Sequence, residues 1–435
     1  MEKNNFRKIA TITLFESAVQ WYCFLLYGTA AGTVFHKVFF SQTGNGTTAL
    51  ILSYMSFAIG YIAGPFGAIF FGHIGDRKGR KVTMYASLLM MGISTSIIGI
   101  LPPAASAGVG VVIVLQLMRL AQCFGRGGTW GGGILMAYEN VPENKRSFYA
   151  AIPQIGLPIG FGLSSILIAV PTLLLPEDIF FTWGWRIPFL AAIILTVIVI
   201  RQKGEMMETE DYKKAQAKLE AEEAEGKKHK VGFIPMVKGY WKTLLLGCGT
   251  RWVDGTFYNI FIVWILSYCI NWLGMPLIQT YIITIIACIF KIPFTLFGGW
   301  CAQKLGNTRT FVIGALASAV LSIPTLKVIE LSKGNLAITV IGIVLGWSIA
   351  YNLIWAVISS LWSSYFETEV RYSGISFVYH VPSFLVAGMV PTICTLLINY
   401  GNGDTIYVGI YSTVVALISA ACALALKARH DRGEK

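Results

Sequence analysis

Two arginines, Arg119 and Arg126, stand seven residues apart in a stretch of apolar and glycine residues that contains no acid. At 100° per residue, seven steps fall about 20° short of two full turns, so both side chains leave one face of a helix, with Gln122 on the same side. A guanidinium offers a planar fork of donors that fits a carboxylate, and two on one face can hold an anion. A second stretch places Arg251, Asp254 and Tyr258 at i, i+3 and i+7, and the next places Lys291 near its middle with no acid within helical reach. Arg251 and Asp254 either simply pair with each other or act apart, Arg251 on a ligand and Asp254 on a proton. Glu16, Gln20, Cys23 and Tyr27, at i, i+4, i+7 and i+11, draw one polar stripe along the first apolar stretch, while Gln154, Asn352, Trp355 and His380 are polar positions in other apolar surroundings. An ionised side chain deep in lipid costs roughly 2.5–3.5 kcal/mol on insertion scales, so each needs a partner or a ligand. The chemistry these groups suit is binding and proton exchange. No nucleophile with a base beside it, no metal-type cysteine spacing and no Gly-x-x-x-x-Gly-Lys phosphate loop is legible, so no catalytic residue, metal or cofactor is assigned.

The elements that carry these residues are long apolar segments. Of 435 residues, 55% are hydrophobic and only 13% charged, which places the chain among all-α membrane proteins. Segments of about 20 apolar residues bounded by polar or glycine-rich turns fall at 10–35, 48–72, 83–101, 109–137, 148–174, 184–201, 242–270, 277–302, 310–328, 335–364, 373–398 and 404–427. A net charge of +12 would suit nucleic acid in a soluble protein. Here its location explains it. Of the 34 Lys and Arg, 26 fall in loops on one side of the twelve spans, three (Lys37, Lys327, Lys333) on the other, and five (Arg119, Arg126, Arg186, Arg251, Lys291) within spans. Positive loops stay in the cytoplasm, so both termini are expected there, in a multi-pass protein of the plasma (inner) membrane whose partner is the lipid bilayer and not nucleic acid. The eight cysteines lie in apolar segments and read as small hydrophobes. The stretch after Met1 is longer than a secretory core and interrupted by Glu16, so it reads as a retained first helix. Residues 202–241 are too charged for lipid and form either a surface helix or a flexible tether. They separate a six-helix bundle at 1–201 from another at 242–435.

The loop Gly72-His73-Ile74-Gly75-Asp76-Arg77-Lys78-Gly79-Arg80-Lys81 has a worn counterpart in Gly299-x-x-Ala302-Gln303-Lys304-x-Gly306, offset by 227 residues at every matched position. The first copy, G-x-x-G-D-R-x-G-R-K, resembles the signature between the second and third helices of the major facilitator superfamily. The segments Trp21-Tyr22-x-Phe24-x-x-Tyr27-Gly28, Gly127-Gly128-x-Trp130-Gly131-Gly132, Trp183-Gly184-Trp185-Arg186-Ile187-Pro188-Phe189 and Glu369-Val370-Arg371-Tyr372-Ser373-Gly374 are similar to its metabolite:proton symporter family, which includes shikimate, 2-oxoglutarate, citrate and betaine/proline carriers. The resemblance implies two pseudo-symmetric six-helix bundles, a substrate site between them, alternating access and function as a monomer.

Two departures from the family bear on the substrate. Relatives usually carry an acid at the place of Thr129 and a small residue at that of Arg126, and acid-Trp-Tyr-Asp-Phe where this chain reads Gln20-Trp21-Tyr22-Cys23-Phe24. The expected cavity is therefore basic and suits a small organic anion with two or more carboxylates. Its candidate ligands are Arg119, Arg126, Gln122, Lys291, Arg251, Tyr27, Gln20, Cys23, Gln154, Tyr258, Asn352, Trp355 and His380. Proton coupling, with the usual carboxylate at Cys23 absent, falls to Asp254, Glu16 or His380. Asp76, Arg77, Arg80, Glu139, Arg146, Glu369 and Arg371 resemble the charge cluster that latches helix ends in one access state. An anion exchanger or facilitator without proton coupling is the alternative, and a non-transporting receptor of the same form is the rival from another class.

Overall fold

A computed structural model describes residues 3–42, 45–78, 80–139, 141, 145–202, 233–367 and 370–433, with the side chains of 3–10, 12, 72–73, 75–78, 80–81, 129–139, 202 and 233–236 outside the description. A backbone polar group without a partner costs several kcal/mol in lipid, so a chain this apolar must close its hydrogen bonds within helices or a barrel. Every regular element among the described residues is helical. They line up as twelve rods: α1 at 3–38, α2 Gly46–Lys78, α3 Arg80–Ile100, α4 Gly110–Glu139, α5 Arg146–Leu174, α6 at 177–202, α7 at 233–271, α8 Leu277–Leu305, α9 Asn307–Leu331, α10 Leu336–Tyr365, α11 at 371–400 and α12 Ile406–Asp431. Among the described residues nine rods have the length and apolarity to cross a membrane, and α11, bent by 41°, makes a tenth. The two that fall short, α1 and α4, are those with Glu16 and Gln20, and with Arg119, Gln122 and Arg126, at mid-length.

Lipid supplies little apolar driving force between helices, so the rods meet where small residues let backbones close. A Cβ on Gly67 would strike the carbonyl of Phe124, and one on Gly127 the backbone of Gly64, which puts α2 and α4 in direct main-chain contact. Gly160 brings α5 onto Ala18 of α1 in the same way. Arg186, at the start of the long helical part of α6, donates to the carbonyls of Gly99 (2.9 Å) and Leu101 (2.6 Å), so it closes the end of α3. The first six rods touch the last six mainly through α1 with α7, α2 with α11 and α5 with α8. Wide π-helical turns at Ala31–Phe35, Ile260–Trp264, Val344–Ala350 and Phe384–Gly388 sit in four of these rods, where an extra residue per turn re-aims the side chains that follow.

Two boundaries differ from the sequence expectation. The Gly72–Lys81 loop does not begin at residue 73, because α2 continues as helix to Lys78, one more turn and a half of charged residues beyond the apolar run. The seventh rod starts at Phe233 and not at 242, and it absorbs the extra turns through a break in helical geometry at Tyr240 (φ −118°, ψ 19°). The bulk of the expected linker, 203–232, lies outside the described residues.

Candidate functional site

The polar residues singled out in the sequence gather midway along the rods, and the aromatic side chains between them decide what each charge can do. Arg119 of α4 is fully buried. Its Nε and Nη2 each donate to the Phe57 carbonyl at 3.4 Å, Nη1 donates to Gln122, and the guanidinium lies 4.4–4.6 Å from the ring centres of Phe24, Tyr27 and Phe57. Gln122 in turn donates to the Cys23 carbonyl (2.9 Å) and the Thr95 hydroxyl (2.7 Å), and the Tyr27 hydroxyl meets Ser56. With each nitrogen engaged and three rings around it, at about 0.5–2 kcal/mol per cation–π contact, this arginine is built into the first six rods. Cys23 lies against Thr95 and Thr196, inside the same six. Glu16 and Gln20, on the stripe with Cys23, are buried as well.

Two turns further along the same face, Arg126 points across to the last six rods. Its Nη2 donates to the Tyr379 hydroxyl of α11 at 2.5 Å, and its guanidinium stacks at 3.8 Å from the Phe24 ring and 4.5 Å from Trp21. The Arg251 guanidinium of α7 also approaches Tyr379, 4.4 Å from its ring centre. Arg251 Nη1 pairs with Asp254, whose other oxygen accepts from the Tyr351 hydroxyl. The Nε and Nη2 of Arg251 are buried and have no hydrogen-bond partner among the described residues. These two nitrogens form the edge of the guanidinium that binds a carboxylate through two parallel bonds. Tyr258, one turn beyond Asp254, bonds Tyr61 of α2 through their hydroxyls.

Lys291 of α8 is fully buried, and no carboxylate among the described residues pairs with it. Its ammonium donates to Asn352 Oδ1 (2.9 Å) and the Trp347 carbonyl (3.4 Å) and sits 4.4–4.6 Å from the rings of Tyr351 and Trp347. Trp355 donates across the seam to the Gln154 carbonyl (3.0 Å) and packs edge-on against Trp21 (5.4 Å). His380 is buried against Gly64 of α2, and its Nε2 has no partner among the described residues.

The structure thus brings together Arg126, Arg251, Asp254, Tyr258, Lys291, Asn352, Trp355, Gln154 and His380 around the seam, and sets Arg119, Gln122, Cys23 and Tyr27 within the first six rods. Of the proposed latch, the side chains of Asp76, Arg77, Arg80 and Glu139, and all of Glu369, lie outside the described residues. Arg371 donates to the carbonyls of Ser363 (3.0 Å) and Phe366 (3.2 Å), within its own turn, and Arg146 is half-buried. Sequence reading passes over Tyr379 and, of the α10 aromatics, Trp347 and Tyr351, though it names Trp355. Trp347, Tyr351 and Trp355 repeat at i, i+4, i+8, a helical stripe that could have marked them.

Twelve rods in two sets of six, with buried charge at the seam, define a membrane carrier. The chain belongs to the major facilitator superfamily, whose model matches residues 21–391. It is 33% identical over 98% of its length to an inner membrane metabolite transport protein of Escherichia coli (strain K12), YhjE, covering 96% of that protein, and 31% identical over 97% of its length to the shikimate transporter of the same strain, covering 94%. The crystal structure of a D-xylose–proton symporter superposes with a TM-score of 0.70 at 16% identity, covering 96% of each chain, which shows the common fold. The protein is a small-molecule transporter and not an enzyme.

Proposed function

We propose that this transporter carries a small organic anion, with a carboxylate docked on the Nε–Nη2 edge of Arg251 and a second anionic or hydroxyl group reaching Arg126 or Lys291. The observation that carries the reading is that unpartnered edge: leaving two buried guanidinium donors unmade costs about 1–3 kcal/mol each, and a carboxylate of the right reach removes that cost. Five buried cations against Glu16 and Asp254 among the described residues support an anion over a cation. The relative named for shikimate, a hydroxylated carboxylate, supports the same class. Two or three charge-assisted bonds give micromolar to millimolar affinity, weak enough for release. Transport proceeds by rocking of a 1–201 bundle against a 242–435 bundle joined by 202–241, in a monomer of the inner membrane with both termini in the cytoplasm, and protons accompany the anion. Exchange of one anion for another is the second reading, favoured by the full engagement of Asp254 between Arg251 and Tyr351.

The test is a thermal-shift screen of the purified protein against shikimate, succinate, citrate and glycine betaine, followed by uptake of the binders into liposomes. Anions should stabilise the wild type and lose that effect in Arg251→Gln. Stabilisation by glycine betaine alone, or by nothing in the panel, would count against the anion reading, and binding without counterflow would mark a receptor.

A further inference from the structure

Tyr379 receives a hydrogen bond from one arginine of the first six rods and a face-on approach from one arginine of the last six, and both guanidiniums belong to the region where the substrate is placed. We infer that its phenol oxygen is a placeholder for a substrate oxygen: in the empty carrier it occupies the Arg126 donor, and the anion displaces it. The inference rests on the anion reading and adds a residue and a competition to it.

The physical argument is one of accounting for donors while the carrier is empty. Arg126 is 3% exposed, and a guanidinium crossing between access states without acceptors would leave buried donors unmade. A neutral hydroxyl on a side chain of the opposite six rods satisfies such a donor without adding a charge, and it ties the two halves across the seam. The bond is weaker than the one a carboxylate makes, because only one partner is ionised. Loading therefore exchanges a weak acceptor for a strong one at Nη2 of Arg126. The Tyr379 ring keeps its packing against Trp362 (6.2 Å) and His380 (4.9 Å), so Tyr379→Phe removes the oxygen while the aromatic contacts persist.

Two readings test this in the full-length protein. Removing a competitor should tighten binding of each panel anion that binds the wild type by roughly threefold to tenfold, and should slow net uptake relative to exchange, because only net uptake requires the empty carrier to return. A tyrosine that merely packs gives unchanged or weaker binding in Tyr379→Phe, with uptake and exchange falling together, and either result overturns the inference. The second reading needs no substrate. Cys288 of α8 is buried at the seam facing Gly162 of α5, and with the other cysteines changed to serine its modification by N-ethylmaleimide reports opening between the halves. In the empty carrier Tyr379→Phe should label faster than the parent, and equal rates would overturn the inference. A panel in which nothing binds leaves this arm decisive while it defeats the anion reading separately.

Discussion

Arg119 and Arg126 are two turns apart on one helix face, yet their surroundings give them different work. Arg119 has an acceptor for each nitrogen and three rings around it, whereas Arg126 reaches over the seam to Tyr379, and Arg251 keeps its two-nitrogen edge open. Arg119→Ala is expected to destabilise the fold by about 3–5 kcal/mol, since it removes one partner from a buried network and takes the donor from Gln122 Oε1. Arg251→Lys should instead leave the melting temperature near the parent value and weaken anion binding by about tenfold or more, because an ammonium keeps the charge but cannot make two parallel bonds. Thermal melting beside anion titration separates the two, and equal behaviour of the variants would refute the distinction. Spacing alone shows that the two α4 arginines share a face and that Arg251 can reach Asp254. It cannot show that Tyr379, more than 250 positions away in sequence, supplies the acceptor for one and not the other, because that depends on which rods close on each other across the seam.

At the scale of elements, glycine placement sets those closures. Gly127 of α4 faces the backbone of Gly64, Gly67 and Ala68, so Gly127→Val forces α2 and α4 apart and should cost about 1–3 kcal/mol or more, read as a fall in melting temperature. Gly239, at the start of α7, has no atom of the described residues within 4 Å of where a Cβ would stand, and Gly239→Ala should melt like the parent. The turn before α12 is held differently. Lys327 of α9 pairs with Asp404 (2.6 Å) and Glu330 (3.0 Å), and Asp404 also accepts from the Ile406 amide (2.7 Å). The Lys327 bond, with that of the Ile406 amide, holds the Asp404 carboxyl below the usual range. A lowered folded value means that its stabilisation is complete above the ordinary value near 3.9 and is lost as pH falls through the folded one. Protection of the Ile406 amide against hydrogen exchange should therefore persist at neutral pH, fall only below about pH 4, and be lost at neutral pH in Asp404→Ala. Protection that declines already near pH 6 would rule this latch out. The twelve rods themselves were legible from apolar length, since lipid leaves few options for the backbone. The helical continuation to Lys78 and the early start at Phe233 were not, because charged helix ends outside the apolar band look the same as loops in composition.

At the scale of the whole molecule, the proposed coupling to protons must work through an acid-poor seam. A symporter needs a group that takes a proton on one side and gives it up on the other, and the place where relatives of this type carry a carboxylate in the first rod is Cys23, which lies against Thr95 and Thr196 within the first six rods. Among the described residues Asp254 is the carboxylate at the seam, tied to Arg251 through Nη1 and to Tyr351 through its hydroxyl. An anion that docks on the open edge of Arg251 draws the guanidinium toward itself, and a proton can then replace the guanidinium as the partner of Asp254. Loading of anion and proton becomes mutually favourable, as linkage between two sites requires. Asp254→Asn should accordingly abolish the stimulation of uptake by an inward proton gradient and leave exchange of internal for external anion intact. Liposomes in which the proton gradient and the internal anion are set independently provide the measurement. If the wild type needs internal anion and ignores the gradient, then Asp254 is a fixed countercharge for Arg251, and the same seam operates an exchanger.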